Sequence, residues 1–293
     1  MSTRAVTIRE VGPRDGLQAE APVDTLRRIA FARSLAETGL SDVEAASFVS
    51  PKAVPAMAGG ADVIDGLPPR AGTTWWALVP NRRGVELARE AGVDNFTVTV
   101  SVSDGYSRRN VGRSADDAIE MLPDLLAEVA SGTSDVVLSC AFGSPYEDVA
   151  ARDVVAIVGR VRAAGATRVT LADTTGVATP ARIRSVLDLV GVDVGMHLHD
   201  TRGTALANAL AAFDLGVSRF DTAVGGLGGS PFAPGAGGNL ATEDLVLVLE
   251  DMGVTTGVDL GALLQVAAAV PDLVGHPVPG RVATAGPLPR FGP

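Results

Sequence analysis

The residues with the clearest chemical potential lie in 194–200, the run VGMHLHD, which carries two of the chain's three histidines. The mostly apolar stretch 192–196 predicts a β-strand, and side chains two apart on a strand leave by the same face. His197 and His199 therefore aim two imidazoles at one point. Imidazoles bind divalent cations, but two nitrogens are too few, so oxygen ligands must come from elsewhere in the chain.

The elements that position this pair follow a repeating order. Strand-like runs are predicted at 5–11, 42–46, 73–79, 96–100, 136–140, 169–172, in the histidine segment and at 219–224. Helical patterns separate them at 23–38, in a short region up to about 65, and at 82–91, 114–129, 149–164, 180–190, 204–215 and 243–252, several closed by glycine. Parallel neighbours need a crossover helix each time, so eight such units indicate an α/β chain folded as a (β/α)8 TIM barrel. A doubly wound open sheet is the rival, and the lack of a GxGxxG turn after the first strand counts against it. The expectation is a single domain over 1–293. The barrel spans about 4–252, and an extension over about 253–293 carries a short extra helix near 260–270 and a Pro/Gly-rich tail.

In such barrels the loops after the strands form the reaction face. There the sequence places Arg14, Asp15 and Gln18 after strand one, Glu44 and Ser47 at strand two, Asp173 and Thr174 after strand six, and His197, His199 and Asp200 at strand seven. Asp15, His197 and His199 make a carboxylate-plus-two-imidazole set, and Asn239 can add an amide oxygen. Mixed oxygen and nitrogen ligation without thiolate suits Mg²⁺ or Mn²⁺ better than structural zinc. Simpler roles compete with these: Arg14 and Asp15 as a turn ion pair, Glu44 as the neutraliser of Arg14, Asp173 and Asp200 as helix caps. The glycine-rich loop 225–239, GGLGGSPFAPGAGGN, reads as a hinged lid or a close approach to ligand. Lys52 is the only lysine, and its place in a loop after Pro51 speaks against a Schiff base. Arg82, Arg83, Arg108, Arg109 and Arg113 either meet phosphates of a bulky anionic substrate or are solvated surface.

The net charge of −10 argues against a nucleic-acid or acidic-membrane partner. Cys140 is the one cysteine, so no intrachain disulfide is available, and its place at the end of an apolar strand suggests core packing. With no apolar run of roughly 18 residues and no signal-peptide core, the chain reads as soluble, unprocessed and cytoplasmic.

The blocks GPRDGLQAE, EAASFVSPKAVPAMAGG, SCAFGSPYE, LADTTGVATP, HLHDTRGTALANALAAFDLGVSRFDTAVGGLGG and GNLATEDLV, in this order over about 6–252, resemble the successive motifs of the hydroxymethylglutaryl-CoA lyase family. The resemblance implies a metal-dependent TIM-barrel lyase, commonly a homodimer, that cleaves 3-hydroxy-3-methylglutaryl-CoA to acetyl-CoA and acetoacetate. Carried onto matching positions, it makes Asp15, His197, His199 and Asn239 the metal ligands. Arg14 becomes a catalytic cation near the thioester carbonyl, and Glu44 and Asp173 support the site. Asp15 and His197 both stand as acceptors for the hydroxyl proton.

The chain departs from the family pattern at Ser230, where the lid motif carries cysteine, so that GGCP becomes GGSP. That cysteine serves proton transfer at the developing carbanion, and a serine hydroxyl is a far weaker acid than a thiol of pKa about 8.5. Three activities therefore compete: the family reaction or a close 3-hydroxyacyl-CoA variant, a retro-aldol cleavage of another hydroxy acid, and a weakened homologue that binds metal and acyl-CoA.

Overall fold

Apolar runs alternating with amphipathic segments resolve into a closed ring. The structure, a computed structural model, describes residues 4–69, 72–129, 132–229 and 237–288. Strands β1 (Thr7–Glu10), β2 (Asp42–Ser47), β3 (Thr74–Leu78), β4 (Asn95–Ser101), β5 (Ser134–Ser139), β6 (Arg168–Asp173), β7 (Gly195–Leu198) and β8 (Arg219–Thr222) form a closed barrel in chain order. All pairs are parallel, and β8 returns to β1 through Thr7 opposite Arg219 and Glu10 opposite Thr222.

Helices α1 (Thr25–Glu37), α2 (Gly60–Asp65), α3 (Arg82–Glu90), α4 (Asp104–Val111), α5 (Ala115–Glu120), α6 (Leu122–Ala127), α7 (Ala151–Ala163), α8 (Pro180–Val190), α9 (Ala205–Leu215) and α10 (Thr242–Asp251) connect the strands. Side-chain caps start several of them: Asp24 for α1, Asn81 for α3, Ser114 for α5 and Thr179 for α8 each accept a backbone N–H of the first turn. The extension adds α11 (Leu260–Val274), packed on α1 and α10, and the short α12 (Arg281–Ala285).

Three sequence expectations need correction. The single helix expected over 114–129 is two, because Pro123 lacks the N–H that would carry the ladder on and instead opens α6. The stretch before it, expected as loop, contains α4, capped by the Ser103 hydroxyl. The loop GPRDGLQ is helical too, Gly12–Gly16 forming a π-helical turn.

TIM barrels are ordinarily filled with branched aliphatic side chains. This interior holds buried charge. Arg9 on β1 donates to both carboxylate oxygens of Asp221 on β8 at 2.9 and 2.8 Å, and pairs with Asp135 on β5 at 3.0 Å. Thr170 on β6 donates to Asp135 at 2.8 Å, and the Trp76 indole N–H on β3 reaches Asp42 on β2 at 2.8 Å. Burial alone would drive the Arg9 proton off, but Asp221 and Asp135 more than offset it and keep the guanidinium charged. One cation thus holds two carboxylates contributed by distant strands.

Replacing Arg9 by methionine keeps the bulk but strands Asp221 and Asp135 in the interior. The expected loss is about 3–5 kcal/mol of unfolding free energy by chemical denaturation. A loss below about 1 kcal/mol would show that the network is dispensable.

Candidate metal and catalytic site

The mouth of the barrel is assembled from the ends of β1, β7 and β8. At the end of β1, the buried carboxylate of Glu10 accepts the Gly12 N–H at 2.7 Å, the Val224 N–H at 3.0 Å and the Thr242 hydroxyl. It ties the turn that carries Arg14 and Asp15 to the loop that follows β8. A Cβ at Gly12 would sit 2.6 Å from Glu10 Oε1, which is why glycine opens that turn. Gly228, at φ 101°, brings its loop so near Asn239 that a Cβ would lie 2.6 Å from the Asn239 amide nitrogen.

Within this frame, ligand atoms of Asp15, His197 and His199 all lie within 4.8 Å of one another, and all three residues are buried. The two imidazoles leave one face as the strand period requires; His197 is on β7, and His199 lies one residue past its end, bridged to Asn239. Each Nδ1 is engaged: His197 Nδ1 with Asp221 Oδ2 at 3.2 Å, and His199 Nδ1 with the Gly237 carbonyl at 3.2 Å. Both partners are acceptors, which assigns both protons to Nδ1 and leaves both Nε2 atoms as bare lone pairs.

Those lone pairs face each other at 3.2 Å, with Asp15 Oδ2 3.9 Å from His197 Nε2. Three acceptors without a hydrogen between them repel unless a positive charge sits among them. Asn239 completes the case: its amide nitrogen donates to Asp15 Oδ2 at 2.8 Å and to the Leu227 carbonyl at 2.9 Å, while its buried Oδ1 has no partner among the described residues. A buried, unpartnered oxygen beside three convergent electron pairs fits a divalent cation taking mixed oxygen and nitrogen ligands.

The protonation states of Asp15 and His199 agree with a ligand role. Burial would raise the Asp15 carboxyl, yet the Arg14 charge, the two histidines and the Asn239 amide hold it at about 2. Burial and the neighbouring His197 push His199 down to about 4, so it is neutral near pH 7. Burial works against a charged His197, but Asp221 and Asp15 raise its proton affinity above the usual imidazole value.

Arg14 is fixed by two carboxylates. Its Nε and Nη2 lie 2.5 Å from Glu44 Oε2, and its Nη1 donates to Asp15 Oδ1 at 2.7 Å, where Gln18 also donates at 3.1 Å. Glu44 therefore does neutralise Arg14, and that pairing is buried rather than a surface ion pair. A cavity of about 500 Å³ opens over the cluster, lined by Arg14, Asp15, Gln18, Thr174, His197 and His199 among others. Glu44 and Asp173 stand behind its wall. Asp173 accepts the Val177 and Ala178 N–H groups, the structural role that helix capping suggested, and burial pushes its carboxyl up to about 6. Asp200 likewise accepts the Ala205 N–H at the start of α9.

The other sequence candidates divide. Lys52 is exposed, and it is not among the described residues that line the cavity over the cluster. Arg82 pairs with Glu86 and Glu128, and Arg108 with Asp104, so these side chains carry their own counter-charges. Cys140 is fully buried, and burial pushes its thiol up to about 12. Ser230 and residues 231–236 of the proposed lid fall outside the described residues. Sequence reasoning missed Asp221, whose place opposite His197 is set by the β7–β8 register of the closed barrel. It also missed Glu10 and Glu243; Glu243 accepts the Gly225 N–H at 3.0 Å, and burial drives it up to about 7.

Comparison with known proteins gives a consistent result. A family model described as HMGL-like matches residues 5–270. The hydroxymethylglutaryl-CoA lyase of Bacillus subtilis is 41% identical, over 95% of this chain and 96% of that protein. The (R)-citramalyl-CoA lyase of Chloroflexus aurantiacus is also 41% identical, over 97% and 96%. Among solved structures, one titled as an HMG-CoA lyase from "Acenitobacter baumannii" in complex with coenzyme A and 3-methylmalate superimposes with a TM-score of 0.93. It is 36% identical and covers 99% of this chain and 97% of that one.

Two measurements test this geometry. Asp221→Asn removes the carboxylate that holds the His197 Nδ1 proton, and Mn²⁺ affinity by calorimetry should fall about 10- to 100-fold; unchanged affinity would deny Asp221 an orienting role. Glu243 titrates at about 7 in the fold against 4.5 in its ordinary state, so the native protein holds a proton that the unfolded chain releases. Its stabilisation is complete below pH 4.5 and lost as pH rises through 7. Relative to wild type, Glu243→Gln should therefore gain up to about 3 kcal/mol between pH 4.5 and 8, read by denaturant titration at each pH. A difference that does not change with pH would contradict it.

Proposed function

The chain belongs to the HMGL-like family, and from that premise we propose that it cleaves a 3-hydroxyacyl-CoA between C2 and C3, with 3-hydroxy-3-methylglutaryl-CoA as the leading substrate. The products are then acetyl-CoA and acetoacetate. The observation that carries this reading is the convergence of Asp15, His197 and His199, with the open Asn239 oxygen, beside a clamped Arg14.

The reaction removes the hydroxyl proton, moves the C2–C3 electron pair into a thioester enolate and protonates the resulting carbanion. Asp15, held at about 2, is a poor base. With its Nδ1–H resting on Asp221, His197 can accept the hydroxyl proton only at Nε2, and only while that nitrogen is not holding the cation. A Mg²⁺ or Mn²⁺ ion held by Asp15, His197, His199 and Asn239 would acidify and orient the hydroxyl. Arg14, immobilised by Glu44 and Asp15, keeps unspent N–H groups for the enolate oxygen, where charge develops. Asp173 acts at one remove by holding the 173–178 turn beside Thr174.

Ser230 stands where the family resemblance expects the proton-transferring cysteine. Its hydroxyl is a weaker acid, and the buried Cys140 thiol is no substitute. Slow turnover of the methylglutaryl thioester follows. A second reading keeps the chemistry and changes the acyl group, favoured by the 41% identity to a citramalyl-CoA lyase. The net charge, the single buried cysteine and the family resemblance support a homodimer in the cytoplasm, acting on small molecules. No helix among the described residues is long and apolar enough to cross a membrane.

The test is acetoacetate release from the thioester by purified protein with Mn²⁺ or Mg²⁺. Activity should vanish with EDTA, Arg14→Gln should lower kcat by roughly 10²- to 10³-fold, and Ser230→Cys should raise it. Absence of product from both the methylglutaryl and citramalyl thioesters, with metal bound, would overturn the proposal.

A further inference from the structure

Beyond the barrel, residues 275–282 leave α11 through Gly275, at φ 84°, and lead into α12. On the way they meet the loops after β1, β7 and β8, the three that carry the ligands beside His197. His276 Nε2 lies 2.8 Å from an oxygen of Glu20, which follows the Asp15 turn and lines the cavity. Arg281 reaches Asp200, next to His199, at 3.7 Å. The Gly280 N–H donates to the Gly225 carbonyl at 2.8 Å, in the turn after β8. Asp244 Oδ1 on α10 then accepts the Arg281 and Val282 N–H groups at 3.1 and 2.8 Å, which fixes where α12 begins. No reacting group belongs to this segment, so the cleavage chemistry does not account for these contacts.

The fit is tightest at the β8 turn. Gly225 and Gly226 both take φ 71°, and the segment fills the side on which their side chains would project: a Cβ on Gly225 would lie 2.9 Å from Val278, and one on Gly226 3.0 Å from Pro279. Conversely, a Cβ on the buried Gly280 would lie 2.2 Å from Glu243 Oε1 and 3.0 Å from Gly225 Cα. Gly225 is thus gripped from both sides, its N–H by Glu243 and its carbonyl by Gly280. Two residues on, the Leu227 carbonyl accepts both the backbone N–H of Asn239, at 3.1 Å, and its side-chain amide, at 2.9 Å. The second of these bonds orients the amide and leaves Oδ1 without a partner among the described residues. A turn built on two left-handed glycines has little stiffness of its own, so its position follows from what it rests on.

Resting on the metal site proposed above, we propose that residues 275–282 are a positioning strap: through Gly280 and Gly225 they fix the Leu227 carbonyl, and with it the Asn239 oxygen offered to the cation. The extension is then part of the metal site although it contributes no ligand. Gly280 is the positioning residue, because only a hydrogen fits between Glu243 and Gly225. At φ −54° and ψ 125° its backbone is one that alanine also adopts, so a substitution there acts through crowding alone.

The experiment is a double-mutant cycle on the full chain, read by Mn²⁺ affinity in calorimetry. Gly280→Ala should weaken Mn²⁺ binding roughly tenfold, the loss expected when a residue that orients a ligand is disturbed. Asn239→Ala should weaken it too, and adding Gly280→Ala to that variant should cost less than about twofold more, because the ligand through which the strap acts is gone. Unchanged affinity in Gly280→Ala overturns the strap. So does an equal loss with and without Asn239, which is what general loosening of the fold would give. Asp244→Ala frees the start of α12 without crowding a neighbour and serves if Gly280→Ala does not fold: affinity should fall, and the fall should again vanish in the Asn239→Ala background. Hydrogen exchange by NMR on metal-free protein gives a second readout, in which the Asn239 N–H should exchange roughly tenfold faster in Gly280→Ala while the amides of β4 keep their rates. Unchanged exchange at Asn239 overturns the strap. If the wild type takes up no Mn²⁺, the proposed metal site fails, and exchange at Asn239 still decides the strap.

Discussion

Two buried imidazole nitrogens held with their electron pairs toward each other, beside the cavity at the barrel mouth, define this molecule. Such an arrangement is unfavourable by itself, and the protein maintains it by occupying the far side of each ring: Asp221 takes one Nδ1 proton and the Gly237 carbonyl the other. Asp15 adds a third acceptor, kept ionised by Arg14, and the Asn239 oxygen adds a fourth without a donor of its own. An apolar interior would not impose this pattern; a bound cation makes sense of every member of it.

The constraint reaches through the barrel. Arg9 holds the Asp221 that holds His197, and Asp221 and Asp135 together keep Arg9 charged. Closure of β8 onto β1 brings Arg9 and Asp221 into the same register, so the ring and the site are one electrostatic assembly. At the rim, Glu10 and Glu243 do for the loops what Asp221 does for the ring. Each gathers backbone N–H groups from the turns that follow β1 and β8. Arg14 sits between Glu44 and Asp15 on the same logic, a cation whose position is set by the anions it neutralises.

Much of this was legible in the sequence, for reasons of period. Strands two apart in residue spacing give His197 and His199 one face, and eight alternating units imply closure and a rim where Asp15 and Asn239 join them. What was not legible depends on contacts across the closed ring. Asp221 and Arg9 were not singled out, since only the barrel brings β1, β5 and β8 around one guanidinium. The helix expected over 114–129 misled because its apolar spacing runs on through Pro123, where the missing N–H restarts it as α6. Glu44 and Asp173 lie behind the cavity wall, a distinction of depth that rim placement alone does not carry.

The claim at the centre is that one divalent cation belongs among these electron pairs. Anomalous scattering from crystals grown with Mn²⁺ tests it most directly. The account predicts a single strong peak within bonding distance of Asp15 Oδ2, Nε2 of both His197 and His199, and Asn239 Oδ1. No peak there at saturating Mn²⁺, or one elsewhere with the two Nε2 atoms still facing each other unfilled, would contradict it.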